Sequence, residues 1–215
     1  MTKAILARKI GMTQVFDEQG YAVPVTVLEA GPCHVIQVKS VASDGYDSIQ
    51  IGFKEKKEHR VNQPLRGHFK RSRVKPCYYL REFRVSDLSR FQAGQELRAD
   101  IFAPGDYVDV SAVSRGKGFA GSIKRLGFSR GPRTHGSRYH RGPGSLGAVN
   151  PGRVFKGRPL PGRMGGRRRT VQNLRVVQAD AEKNILLVRG SVPGPRGGLV
   201  EVKRASTKQA QTMRS

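Results

Sequence analysis

Seventy consecutive residues of this 215-residue chain, Val110 to Ala179, contain no Asp or Glu. Inside that run, the 55 residues from Arg115 to Arg169 hold 15 Lys or Arg, 14 Gly, 5 Pro and only 13 apolar side chains. Such a segment cannot build a core. Its Gly and Pro exceed the roughly 25–30% that marks sequence without packed structure. Its apolar content is too low to offset the entropy lost on ordering. A stretch this long between regular elements is functional or disordered. We read it as disordered alone and ordered against a polyanion.

The same charge governs the whole chain. Forty Lys and Arg against 16 Asp and Glu give a formal charge of +24, and a compact state repels itself at that density. Nucleic acid, with about one negative charge per 1.7 Å of duplex, removes the penalty. Acidic-surface partners and neutral metabolites fit poorly. A run of like charge is ordinarily a solvated face, but here no anion compensates it. Arg outnumbers Lys by 12 to 3 between Arg115 and Arg169, which favours bidentate phosphate contacts and stacking on bases. The glycines let backbone approach a ligand closely, and Tyr139 and Phe155 can stack on splayed bases. An irregular Gly/Pro thread suits folded RNA better than a regular DNA groove. The candidate RNA contacts are Lys117, Lys124, Arg125, Arg130, Arg133, His135, Arg138, Tyr139, His140, Arg141, Arg153, Lys156, Arg158, Arg163, Arg167, Arg168 and Arg169.

The other 160 residues carry 25 basic and 16 acidic side chains and 66 apolar ones, an ordinary globular composition. Runs 21–28, 34–41 and 48–53, rich in Val and Ile and bounded by Gly, Pro, Ser and Asp, predict strands, and further strands are predicted at 78–85, 96–102, 107–113, 170–178, 184–192 and 199–203. The two flanking Asp180 to Asn184 form a hairpin. About nine short strands with frequent turn signals point to a barrel or sandwich. Helical pattern is sparse: 63–73, with Pro64 near its start, and 117–126, where Phe119, Ile123 and Leu126 share a face. The chain therefore divides into a globular body, 1–114 and 170–204, a basic segment, 115–169, and a flexible polar tail, 205–215.

Other chemistries find little support. The longest aliphatic run is Ile185 to Val188, too short for a membrane span, and Arg8 and Lys9 interrupt the N-terminus too early for a signal peptide. Cys33 and Cys77 form no CxxC pair, so neither a disulfide scaffold nor a zinc ribbon is expected, and both read as small buried hydrophobes. GKGFAG has the wrong spacing for a dinucleotide fingerprint. His135 and His140 could ligate a metal, but no Cys, Asp or Glu lies near them, so phosphate or base contact is the better reading. Asp106 and Asp109 follow Pro104-Gly105 and read as a turn and a strand start. The acid-free segment offers no carboxylate for general acid–base work. No cofactor, metal or small-molecule substrate is expected. A structural RNA-binding protein is the leading reading; an RNA-modifying or remodelling enzyme with a basic docking arm is the alternative, and a DNA-compacting protein is weaker.

The string FAPGDYVDVSAVSRGKGFAGSIKR, 102–125, resembles the signature of the ribosomal protein L-three family of the large subunit. Phe102, Asp109, Ala112, Ser114, Gly116, Lys117, Gly118, Gly121 and Arg125 carry the pattern. GFSRGPRTHGSRYHRGPGSLG, PGRVFKGRPLPGRMGGRRRTVQNL, KIGMTQVF and NILLVRGSVPGPRGG also resemble the bacterial family. The resemblance implies a mainly β fold, a translation-protein-type β-barrel with an inserted, partly helical subdomain at about 54–77, and a long basic finger. It implies a cytoplasmic ribosomal protein that is not an enzyme. Its expected partners are large-subunit ribosomal RNA, bound early in assembly, and neighbouring large-subunit proteins. The finger tip near the peptidyl transferase centre corresponds by motif position to Gly144, Ser145, Gly147, Ala148, Val149, Asn150, Pro151 and Gly152. Some bacterial relatives carry a methylated Gln after the GSLG-like motif; Ala148 stands there, so that modification is not expected.

Overall fold

The computed structural model describes residues 3–207. In chain order its elements are β1 (Ala4–Phe16), β2 (Ala22–Ala30), β3 (Cys33–Lys39), α1 (Val41–Asp44), β4 (Ser48–Glu55), α2 (Gln63–Arg71), β5 (Cys77–Arg84), β6 (Glu96–Leu97), β7 (Tyr107–Val113), β8 (Phe119–Ala120), α3 (Ser122–Leu126), β9 (Gly162–Arg163), β10 (Arg168–Asp180), β11 (Ile185–Arg189) and β12 (Leu199–Arg204). They group into two compact units, one running to Val113 and resuming at Arg168, the other Ser114–Arg167.

The first unit is mainly β, as expected. Six antiparallel strands close a barrel in the order β1-β12-β7-β10-β11-β2. Closure removes the unpaired edges that an open sheet would expose. Between β2 and β7 the chain builds a second, four-stranded sheet, β5-β4-β3-β6. The 54–77 region lies within this excursion, between the end of β4 and the start of β5, and carries a short 3₁₀ turn at Glu58–Arg60 and α2. Asn62 starts α2 by accepting the Leu65 N–H at 3.3 Å, a standard N-cap. Phe69 then buries against Ile36 and Cys77, with Val74 and Leu80 alongside.

A single buried cluster joins the barrel interior to the second sheet, with Ile5, Leu6, Leu28, Val35, Ile51, Phe83, Phe102, Val108, Leu186 and Val202 among its members. β1 explains how, and it is a strand that pattern alone did not predict. Ala4 to Ala7 are all buried, because β1 packs on β4 as well as in the barrel wall. Alternation, the usual strand signal, is lost when both faces are covered. Arg8, Lys9 and Gly11 further blur the pattern, and a bulge falls between Lys9 and Gly11. The Lys9 ammonium is held by the Val192 carbonyl at 2.6 Å.

Two other expectations change. The 96–102 segment is a strand only at Glu96–Leu97 and continues as a 3₁₀ turn at Ala99–Ile101, which lets Ala99 and Phe102 both reach the core. The helix expected over 117–126 is confined to Ser122–Leu126, while Phe119 and Ala120 pair as a strand with Arg163 and Gly162. Gly118 has a φ of 67° and Gly121 is extended, so no helical turn runs through them. The Asp180–Asn184 hairpin forms, with Asp180 facing Ile185 and the Asp180 carboxylate accepting the Glu182 and Lys183 N–H groups, each at 3.0 Å.

Asp106 accepts from the Lys3 ammonium at 2.8 Å and the Ala103 N–H at 3.1 Å. Asp109 accepts the Asn173 N–H at 2.9 Å, where Asn173 turns at a φ of 56°. Both carboxylates serve a turn and a strand. Both cysteines are buried and unpaired. Of the tail expected from Ala205, residues 208–215 lie outside the described residues; Ala205 is buried and its N–H donates to the Tyr107 carbonyl at 2.9 Å.

Candidate nucleic-acid interface

The Ser114–Arg167 unit is a two-stranded ribbon carrying one short helix and a long irregular segment. Its ladder begins where the Ser114 N–H donates to the Arg167 carbonyl at 2.9 Å, continues through Lys117 and Gly118 against Met164, each bond 2.9 Å, and ends in β8 and β9. Gly165 is required in this ribbon: its φ is +71°, and a Cβ there would lie 2.0 Å from the Arg115 carbonyl oxygen. α3 closes at Gly127, which adopts a φ of 74° and donates to the Ile123 carbonyl at 3.0 Å. From α3 the Arg125 guanidinium reaches the Leu160 carbonyl, bracing the two sides of the ribbon.

Between Gly127 and Pro161 the backbone is irregular with scattered turns, with neither helix nor strand. Gly131 donates to the His140 carbonyl at 3.1 Å, and His140 Nδ1 lies 2.7 Å from the Pro132 carbonyl oxygen. Tyr139 sits where a side chain on either of two glycines would collide: a Cβ on Gly131 would meet its carbonyl oxygen at 2.0 Å, and one on Gly142 its ring at 2.1 Å. Its hydroxyl accepts the Gly144 N–H. An open depression of about 380 Å³ is lined by Arg130, Gly131, Arg133, His140 and Arg141. His135 occupies a turn at a φ of 57°.

Lys117, Lys124, Arg130, Arg133, Arg138, Arg141, Arg153, Lys156, Arg158, Arg163 and Arg167 are exposed, and Arg125 is half-buried. The unit contains no carboxylate to pair with any of them. Arg115 shares this exposure; the charge run alone marks it, although it falls outside the expected contacts. Two guanidiniums act partly inside the chain, Arg125 on Leu160 and Arg158 on the Ser145 carbonyl. Arg153 lies 5.8 Å from the Phe155 ring centre. Arg168 and Arg169 belong to β10 in the barrel unit, and Arg168 pairs with Glu201, which also takes Arg81 at 3.4 Å.

At the expected tip, Gly144 to Asn150 and Gly152 are exposed and Pro151 is half-buried. Ser145 Oγ bonds both to the Gly147 carbonyl at 3.2 Å and to its N–H at 3.3 Å. The Gly152 N–H donates to the Val149 carbonyl at 3.1 Å, closing a turn over Asn150 and Pro151. No cluster of three or more His, Cys, Asp or Glu suited to a metal occurs among the described residues.

The arrangement is an exposed, uncompensated array of cations, most of them planar guanidiniums, on a glycine-shaped backbone, suited to phosphate and base contact. A family model described as ribosomal protein L3 matches residues 83–184. Curated relatives are named large ribosomal subunit protein uL3. The chain is 60% identical to that of Carboxydothermus hydrogenoformans over 95% of this chain and 98% of the relative. It is 59% identical to that of Pelotomaculum thermopropionicum over 96% and 98%, and 56% identical to that of a Geobacillus species over 98% and 100%. With this identity along nearly its whole length, the chain belongs to the ribosomal protein L3 family.

Proposed function

We propose that this chain is a structural constituent of the large ribosomal subunit that binds large-subunit ribosomal RNA through the Ser114–Arg167 unit, supports early assembly, and carries residues 144–152 toward the peptidyl transferase centre. As a member of this bacterial family it is a cytoplasmic ribosomal protein and not an enzyme. One observation carries the RNA-binding part: 13 cations between Ser114 and Arg167, with no carboxylate among them, nearly all facing solvent.

The unit's mechanism follows from its chemistry. Arg forks dock on phosphate oxygens in pairs of hydrogen bonds. Exposed Tyr139 and Phe155 supply faces for unstacked bases. The 144–152 segment has no general acid or base, and its Ser145 hydroxyl is engaged by Gly147. Any influence on peptide transfer therefore runs through RNA packing. The test is reconstitution of large subunits with the intact chain and with a chain lacking 144–153. The intact chain co-sediments with the subunit through a high-salt wash. Subunits without the tip still form peptide bonds but bind centre-directed inhibitors with altered affinity. Release of the intact chain at high salt, or complete loss of transfer in correctly assembled subunits, overturns the proposal.

A further inference from the structure

The Ser114–Arg167 unit is not the only concentration of charge. Between Lys54 and Lys75 there are nine Lys and Arg against Glu55 and Glu58, and of these cations only Lys75 has a described ion pair, with Glu55 at 3.3 Å. Cations in the last turn of α2 complement the helix dipole, which accounts for Lys70 and Arg71. It does not account for Lys54, Lys56, Lys57, Arg60 and Arg73, which lie outside the helix.

Tyr78 gives this cluster a specific geometry. Phe53 faces Tyr79 and Glu55 faces Cys77 in the β4–β5 pairing, so Lys54 and Tyr78 are direct cross-strand neighbours. Lys54 adopts a φ of 62° there. The ammonium groups of Lys54 and Lys56 lie 5.7 and 5.4 Å from the Tyr78 ring centre. Tyr78 is 45% exposed, and the ring of its neighbour Tyr79, 6.4 Å away, stacks on buried Phe53. A half-exposed aromatic on a strand, with two lysines beside its face and further cations without a described ion pair in the same 54–75 stretch, has the components of a single-strand platform. The ring takes a base, and the lysines swing from ring to phosphate. Exposed cation–π contacts are weak beside base stacking, so the exchange favours the nucleic acid.

We infer that Tyr78, with Lys54 and Lys56, is a second RNA-binding site on the body of the protein, taking an unstacked base and its flanking phosphates. An acidic protein segment could meet the same charge but gains nothing from the ring face.

The inference rests on the RNA-binding reading above, and the test separates the two. The full-length chain is bound to large-subunit ribosomal RNA transcript and irradiated to form zero-length cross-links, and affinities are measured over a salt series. A cross-link at Tyr78 is expected. Tyr78→Ala should weaken binding about 5- to 150-fold, the range of one stacked base, with the salt dependence unchanged. Tyr78→Phe should retain affinity. Lys54→Gln with Lys56→Gln should lower the salt slope by about 1 to 2. Equal thermal melting of the variants excludes misfolding. If Tyr78→Ala binds like the parent while Arg130→Ala/Arg133→Ala/Arg141→Ala loses affinity, the second site is absent and the main interface stands. If the parent does not bind, the RNA-binding reading itself fails. Cross-linking of Tyr78 in assembled subunits to protein instead of RNA also overturns the inference.

Discussion

Cys33 has no exposed surface, and its Sγ donates to the Leu6 carbonyl at 3.3 Å. Burial pushes its thiol up to about 12 and that of Cys77 up to about 11, against an ordinary 9.0. Both thiols stay neutral in the folded state well above the pH at which an unfolded chain ionises them. Stability from this source is therefore complete below about pH 9 and is lost as pH rises through the folded values, since the unfolded state then gains by releasing the proton. The expected outcome is that neither thiol reacts with an aromatic disulfide reagent at pH 8 until denaturant is added, when both do. Reaction of one thiol in the folded chain contradicts the burial described. The apolar character of these cysteines was legible from their settings in sequence. The engagement of Arg125 and Arg158 was not, because their acceptors are main-chain carbonyls 35 and 13 residues away, invisible to a reading based on side-chain chemistry.

Among the elements, β10 shows why a cluster of like residues need not act alike. Arg167, Arg168 and Arg169 are consecutive, but Arg168 is held by Glu201, a residue on β12 that meets it only because β7 lies between and pairs with both strands. Arg168→Ala should leave RNA affinity nearly unchanged and cost at most about 1 kcal/mol of stability, the range of a surface ion pair. Arg167→Ala with Arg169→Ala should leave stability unchanged and lower the salt slope of RNA binding by about 1.4 to 1.8, for two phosphates released. Salt titration and thermal melting of the two variants decide it; a slope lowered by about 0.7 to 0.9 in Arg168→Ala, half the change in the double variant, would mean all three arginines act alike. Strands β2 to β4, β7 and β10 to β12 were legible because Val and Ile runs end at turn residues; β5, with the sequence CYYLREFR, was legible without such a run. β1 was not, since burial of both faces at Ala4–Ala7 erased its period. The helix over 117–126 was overread, because apolar spacing carries no information about the positive φ of Gly118.

For the whole molecule, folding and charge pull in opposite directions, and the topology separates them. The Ser114–Arg167 unit contributes 13 of the net +24 charges, yet the barrel core draws on residues outside it. The unit enters after Val113 and leaves before Arg168, and those two residues already face each other across the β7–β10 ladder. Their backbones are therefore about one strand spacing apart, near 5 Å, a gap that a short Asn-Gly turn spans. Replacing Ser114–Arg167 by that turn should leave a barrel that is less self-repelling, at +11, and that keeps its buried cluster. We expect β-rich circular dichroism and a cooperative melt no lower than that of the intact chain in low salt, where self-repulsion is least screened. The RNA affinity should fall, and its salt slope with it. If about 10 cations of the unit neutralise phosphates, the intact chain's slope includes roughly −7 to −9 from this unit alone, and the shortened chain retains only what the body supplies. An unfolded product would show that the barrel depends on the inserted unit. A folded product with the parent's slope would show that the 13 cations remain solvated, leaving the acid-free run without the polyanion that its composition requires.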